Sequence, residues 1–453
     1  MKQELTHGNV QKTMILFAGP MILGNLLQQC YNIADTLIVG QFLGAKGLAA
    51  VGSAYTLMTF LTSILIGLCI GSGSLWSFYY GKDDRKKLQR SVFSSFLFIG
   101  VFSLSMNILV FAGMDWILKV LKTPAELLWM MREYVHIIFG GIFFVFLYNF
   151  FAFLLRAMGN SLAPLWFLGI ASVLNIILDL FFVAALNQGI AGAAAATVIS
   201  QGVSGIGLGV YTWIKFKNII LAPDGTESKQ AKRGLWPEIK KALPEVVKFS
   251  MAASIQQSVM NFGILMIQGL VNSFGTTVMA AFAAAVKIDS FAYMPAQEFG
   301  NAFSIFISQN YGAGKRERVR QSVRDSFRTS AIFCIIVSVL VFLAAPYLMM
   351  IFIHPSETEI IRIGTEYLRI EGSCYCGIGI LFLLYGYYRG IGKPEMSVVL
   401  TVISLGTRVA LAYALSPVIG VLAIWLSIPT GWILADVTGV VYGGLGKKRW
   451  RFE

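Results

Sequence analysis

Four residues in the first half of the chain have the types and the placement to hold a small cation: Asp35, Asn175, Asp179 and Thr197. Asp35 is the single formal charge in the apolar run from Met14 to Leu43. Around it Asn25, Gln28, Gln29, Asn32, Asp35 and Thr36 recur every three to four positions, which places them on one face of a helix. A carboxylate at membrane depth costs a few kcal/mol even on lenient scales, so such a face turns to a bundle interior or a wet cavity. Asp179 falls seven residues before Leu186, Asp35 nine before Gly44, and Thr197 eight after Gly189. With those glycines and Leu186 taken as outer helix ends, the three share a depth of roughly 10–14 Å. Asn175 lies one turn from Asp179 on the same face. Several oxygens with little water suit a hard cation such as sodium. The competing chemistry is protonation, which burial and a like-charged neighbour both favour. The neutral oxygens of Asn175 and Thr197 serve sodium better than a proton, although both residues also suit plain interhelical hydrogen bonding.

The elements that position these residues must be membrane helices. Of 453 residues, 56% are hydrophobic and 13% charged, and the mean hydropathy is +0.70. A soluble domain needs far more polar surface. The first apolar run is too long for a cleaved leader and is expected to remain as a helix. The net charge of +13 resides in short connecting stretches that orient helices, so nucleic acid is not an expected partner. All five cysteines fall inside apolar segments, and the three histidines form no metal-ligand spacing.

Twelve apolar segments can be counted, the first at 14–43 and the last at 419–443. Basic clusters at Lys82 to Arg90, Lys215 to Lys241, Lys315 to Arg320 and Lys447 to Arg451 alternate with loops of little charge, which predicts both termini in the cytoplasm of a multi-pass cell-membrane protein. An offset of 231 residues superposes the halves. Gly44 meets Gly275, Tyr80-Gly81 meets Tyr311-Gly312, Arg85 meets Arg316, and Ser91-Val92 meets Ser322-Val323. The fold expected is all-α and polytopic: twelve transmembrane helices in two six-helix lobes related by a parallel repeat. The lobes are placed at 1–214 and 245–453, the second with a basic cytoplasmic tail, around a cytoplasmic linker at 215–244. That linker includes Pro223-Asp-Gly-Thr-Glu-Ser and a short amphipathic helix near Trp236 to Leu243. Such an architecture suits alternating access.

The cation set is not repeated, since Asp35 maps to Met266 and Asp179 near Ala412. The second half instead carries Lys287, Asp289, Glu298, Glu371, Arg408 and Asp436 within helices. Pairing is expected between Arg408 and Asp436 and between Lys287 and Asp289 or Glu371, because an unpaired charge there is costly. Gln28, Asn32, Gln256, Gln257, Met260 and Asp289 are candidate linings of an adaptable substrate cavity.

Several motifs resemble the prokaryotic multidrug and toxic compound extrusion (MATE) transporters over nearly the whole chain. They are Gly19-Pro20, Asn32-Ile-Ala-Asp35-Thr-Leu-Ile-Val-Gly40, Leu155-Arg-Ala-Met-Gly159, Asn175-Ile-Ile-Leu-Asp179, Gly189 to Thr197, Gln309-Asn-Tyr-Gly312 and Arg389-Gly-Ile-Gly392-Lys-Pro394. The resemblance implies efflux of small organic, often cationic, compounds driven by inward Na+ and/or H+, with no cofactor and no enzymatic step. It makes Asp35, Asn175, Asp179 and Thr197 a first-lobe cation site and Pro20 a point of bending in helix one. The NorM-like branch also uses acids in helices seven and ten. Here helix seven has Gln256 and Gln257, and helix ten has Cys374-Tyr-Cys376 where the acid is looked for, which favours the DinF-like branch. A monomer in membrane lipid is expected. A lipid-linked precursor flippase is the alternative within transport, but it calls for a basic cavity; a membrane-embedded enzyme calls for a nucleophile or metal cluster at one depth, which the sequence does not offer.

Overall fold

The computed structural model describes residues 4–120, 126–220 and 231–444, and among these all regular structure is helical. A first long helical stretch breaks at Gly44 (φ 68°, ψ −168°) into α1 (Val10–Gly44) and α2 (Lys46–Gly81). There follow α3 (Arg85–Val120), α4 (Leu128–Gly140), α5 (Ile142–Ala157), α6 (Leu162–Asp179, continued by a π-helical turn over Leu180–Ala185) and α7 (Gly189–Ile220). The rest comprises α8 (Ala231–Asn272), α9 (Thr276–Gly312), α10 (Arg316–Met350), α11 (Thr358–Gly372), α12 (Tyr375–Gly390), α13 (Pro394–Ile419) and α14 (Leu422–Gly443).

Nine of these are long and apolar enough to cross a bilayer, and the pairs α4+α5 and α11+α12, bent by 43° and 51°, make one span each. The twelfth is α8, which is long enough but carries Gln256, Gln257, Asn261 and Gln268 within its apolar part. The expected linker helix is not separate: it is the first part of the 42-residue α8, which runs through Pro237 and Pro244. Pro223-Asp-Gly-Thr-Glu-Ser and the basic tail residues Lys447, Lys448, Arg449 and Arg451 lie outside the described residues.

The repeat is written in the backbone. Left-handed φ values occur in pairs at Gly44 and Gly275 (68° and 92°), Asp83 and Gly314 (55° and 70°), Gly159 and Gly392 (82° and 85°), and Gly189 and Gly420 (63° and 65°). Three pairs are separated by 231 residues and one by 233. Each pair marks the same helix boundary in its half, and glycine is favoured there because a Cβ disfavours that conformation. The two bent spans also break at equivalent places, near Gly141 and Cys374.

By its contacts the chain forms two compact units, one holding Leu23–Ser254 and the other Ile255–Glu453 with Leu5–Ile22. Pro20, inside α1, therefore lies close to the point where α1 passes from one unit's packing to the other's. In the first unit Trp76 meets Phe150 edge-on at 4.9 Å. The α2–α8 contact there is close: Ser72 and Ser250 share a 2.7 Å hydrogen bond, and a Cβ on Gly71 would fall 2.1 Å from the Phe249 carbonyl oxygen. Gly67 and Gly71 form the small-xxx-small spacing that lets backbones approach. In the second unit Trp425 stacks on Phe282 at 5.6 Å and meets Tyr367 edge-on at 4.8 Å.

Candidate functional site

The four residues proposed from spacing come together inside the first unit. Asp179, at the end of α6, is fully buried, and Asn175 one turn earlier is 2% exposed. The Asn175 amide donates to the Thr197 hydroxyl of α7 at 3.4 Å, and that hydroxyl donates to the Ala193 carbonyl at 3.1 Å. The Asp35 carboxyl, on α1, reaches hydrogen-bonding range of Asp179. Two ionised carboxylates have no proton to share, so the contact is a hydrogen bond only when one of them is protonated. As ionised groups they leave a set of orphans: Asp35 Oδ1, both Asp179 oxygens and Asn175 Oδ1 are buried with no donor. A buried acceptor without a partner is costly. A cation or a proton removes that cost here.

Local backbone geometry aims these groups. The α-helical ladder of α6 holds Asn175 and Asp179 on one face, and immediately beyond Asp179 the ladder widens into the π-turn Leu180–Ala185. Leu186 N donates to Phe181 O and Gln188 N to Phe182 O, both at 2.9 Å. The extra residue in the turn re-aims the chain that follows, as such insertions often do at functional sites.

Residues that spacing alone did not single out also surround the pair. Tyr31 bonds to Gln201, and it lies, with Tyr134 of α4, within electrostatic reach of both carboxylates. Tyr31 is four residues before Asp35 and Gln201 four after Thr197, so the i, i+4 rule applied outward from the acids finds them. Tyr134 carries no such signal, because only the packing of α4 brings it there.

The candidate cavity residues divide between the units. In the first, Asn32 donates to Gln29 at 3.1 Å and Gln28 is exposed. In the second, Gln256 is buried with Oε1 unpartnered. Gln257 is half-buried, its carbonyl accepting from the Asn261 amide at 3.1 Å, and Met260 packs on the core. Asp289 belongs to a second polar centre with Glu371 and Arg408, beside the Tyr375 hydroxyl, while Tyr367 bonds to Glu371.

That centre corrects the pairing expected from sequence. Arg408 acts on Asp289 and Glu371 rather than on Asp436, whose Oδ1 has no donor. Lys287 points away, 6.0 Å from the Phe352 ring centroid. Residues 287 and 289 are two apart on α9 and so face different directions. The buried acid of the tenth span is Glu371, one turn before Cys374-Tyr-Cys376 and next to the break between α11 and α12. Asp289 and Glu371 are 4% and 2% exposed. With both ionised, one guanidinium leaves this centre one charge short of neutral.

The MatE family model matches twice, over residues 20–181 and 251–414, so the two matches are displaced by 231 residues at the start and 233 at the end. The chain belongs to the MatE family. Among its relatives are the probable multidrug resistance protein YpnP of Bacillus subtilis, 31% identical over 99% of this chain and 97% of that protein, and the multidrug export protein MepA of Staphylococcus aureus, 22% identical over 91% and 88%. A solved structure of a MOP superfamily transporter from Pyrococcus furiosus superposes with a TM-score of 0.87 at 22% identity, covering 99% of both chains. The Vibrio cholerae MATE transporter VcmN superposes at 0.86, with 22% identity and 95% of both chains covered. This MatE chain is a multi-pass membrane transporter and not an enzyme.

Proposed function

We propose that the protein is a secondary antiporter that exports small organic, often cationic, compounds in exchange for inward Na+ and/or H+, by alternating access. The observation that carries this reading is the group of four buried, donor-less oxygens on Asp35, Asn175 and Asp179 beside the Thr197 hydroxyl. One bound ion or proton offsets one of the two carboxylate charges and gives the orphaned oxygens a partner, and the group is unfavourable without it. The names of YpnP and MepA support drug-like organic cargo. Gln28, Asn32, Gln256, Gln257, Met260 and Asp289 are the proposed substrate contacts, and Pro20 the point at which α1 bends. The transporter acts as a monomer in the cell membrane with both termini in the cytoplasm, an orientation that the basic connecting loops support.

The test is dye efflux from proteoliposomes without ATP, with sodium and proton gradients imposed separately. Efflux driven by either gradient and lost in Asp35→Asn is the expected result. Efflux that needs ATP, or that Asp35→Asn leaves intact, overturns the proposal.

A further inference from the structure

Helix α10 carries two arginines where its repeat copy carries none. Arg324 and Arg328 are exposed, and among the described residues neither has an ion pair or hydrogen bond with the protein; Arg320, one turn earlier, is paired with Glu317 at 2.5 Å. The equivalent positions in α3, 231 residues earlier, are Phe93 and Leu97, 40% and 43% exposed. The fold at this point thus accepts an apolar, lipid-facing side chain, and arginine is not needed to build it.

The direction of these side chains identifies what they meet. Arg324 and Arg328 lie on the same face of α10 as exposed Ile332, Ile335, Val339 and Leu343, while Val319, Val323, Ser326, Ser330 and Cys334 turn to the core. From Ile332 to Met350 the helix is about 27 Å long, close to the thickness of a hydrocarbon core. Arg328 and Arg324 precede Ile332 by about 6 and 12 Å, which is the headgroup layer. An arginine there extends its stem along the acyl chains and its guanidinium to the interface, and the planar fork matches phosphate oxygens in pairs.

We infer that Arg324 and Arg328 form a binding surface for the headgroup of an anionic phospholipid, on the lipid-facing side of α10 and in the C-terminal repeat only. This requires that α10 spans a bilayer and nothing about the coupling ion or the direction of transport.

The experiment titrates the full-length protein, purified in detergent, with dioleoyl phosphatidylglycerol or dioleoyl phosphatidylcholine and counts bound lipid by native mass spectrometry. The variant Arg324→Phe with Arg328→Leu installs the side chains of the first repeat at those positions. Each arginine contributes about a fivefold to sixfold gain, so phosphatidylglycerol binding should weaken about thirtyfold in total, with phosphatidylcholine adducts unchanged. Arg324→Gln with Arg328→Gln should behave alike, so a fault in folding of one variant does not decide the result. Lys86→Gln with Lys87→Gln, in the first repeat, should leave phosphatidylglycerol binding as it was. Unchanged phosphatidylglycerol binding in both arginine variants, an equal loss in the lysine variant, or full competition by soluble glycerol phosphate would each overturn the inference. Because lipid is counted without transport, failure here is separable from failure of the antiport reading.

Discussion

Asp179→Asn keeps the shape of a fully buried side chain and removes one charge from the carboxyl pair. The amide it introduces can donate to Asp35, so the contact between α1 and α6 survives. Two like charges 4 Å apart at an effective dielectric of 20 repel by about 4 kcal/mol. In sodium-free buffer, at a pH where both carboxyls are ionised, the variant should therefore melt at a higher temperature than the parent. Its melting temperature should no longer rise when sodium is added, because binding to the folded state is what produces that rise. Transport gives a second reading. One charge moved across 100 mV supplies about 2.3 kcal/mol, which is about a fiftyfold concentration ratio. In proteoliposomes with an imposed potential and a fluorescent organic substrate of no net charge, so that each inward cation moves one net charge, the parent should approach that ratio and the variant should stay near one. A variant that still concentrates the dye, or still gains stability from sodium as the parent does, refutes the assignment of Asp179 to the ion site.

Thr197→Val removes one site oxygen and the acceptor of the Asn175 amide; it should weaken the activating ion by about tenfold while the maximal rate is kept, read as half-saturation against sodium or proton concentration. Gly71→Ala drives a methyl into the Phe249 carbonyl, where a Cβ lies 2.1 Å away, and should cost about 1–3 kcal/mol. Gly52→Ala, inside α2 with nothing within 4 Å, should instead stabilise by about 0.5–1 kcal/mol in the same melting assay. Arg408→Gln removes the one positive charge that acts on Asp289 and Glu371, so the melting temperature should fall; Asp289→Asn in that background should restore part of it.

The sequence by itself determined the helices, the duplication and the shared depth of the four polar residues in the first unit. Twenty-residue apolar runs and a fixed offset are local or periodic signals. Asp35, Asn175, Asp179 and Thr197 were legible because helical rise converts sequence distance into depth and each lies a countable distance from a helix end. Lateral neighbours follow no such rule. Only tertiary packing brought Tyr134 beside the carboxylates, placed Arg408 with Asp289 and Glu371 instead of Asp436, and turned Lys287 toward Phe352. Depth along a helix is fixed by the backbone ladder, whereas rotation about the helix axis is fixed by which side chains interlock. The π-turn after Asp179 likewise has no sequence mark of its own. It lies between Asp179, which meets Asp35 of α1, and the turn into α7.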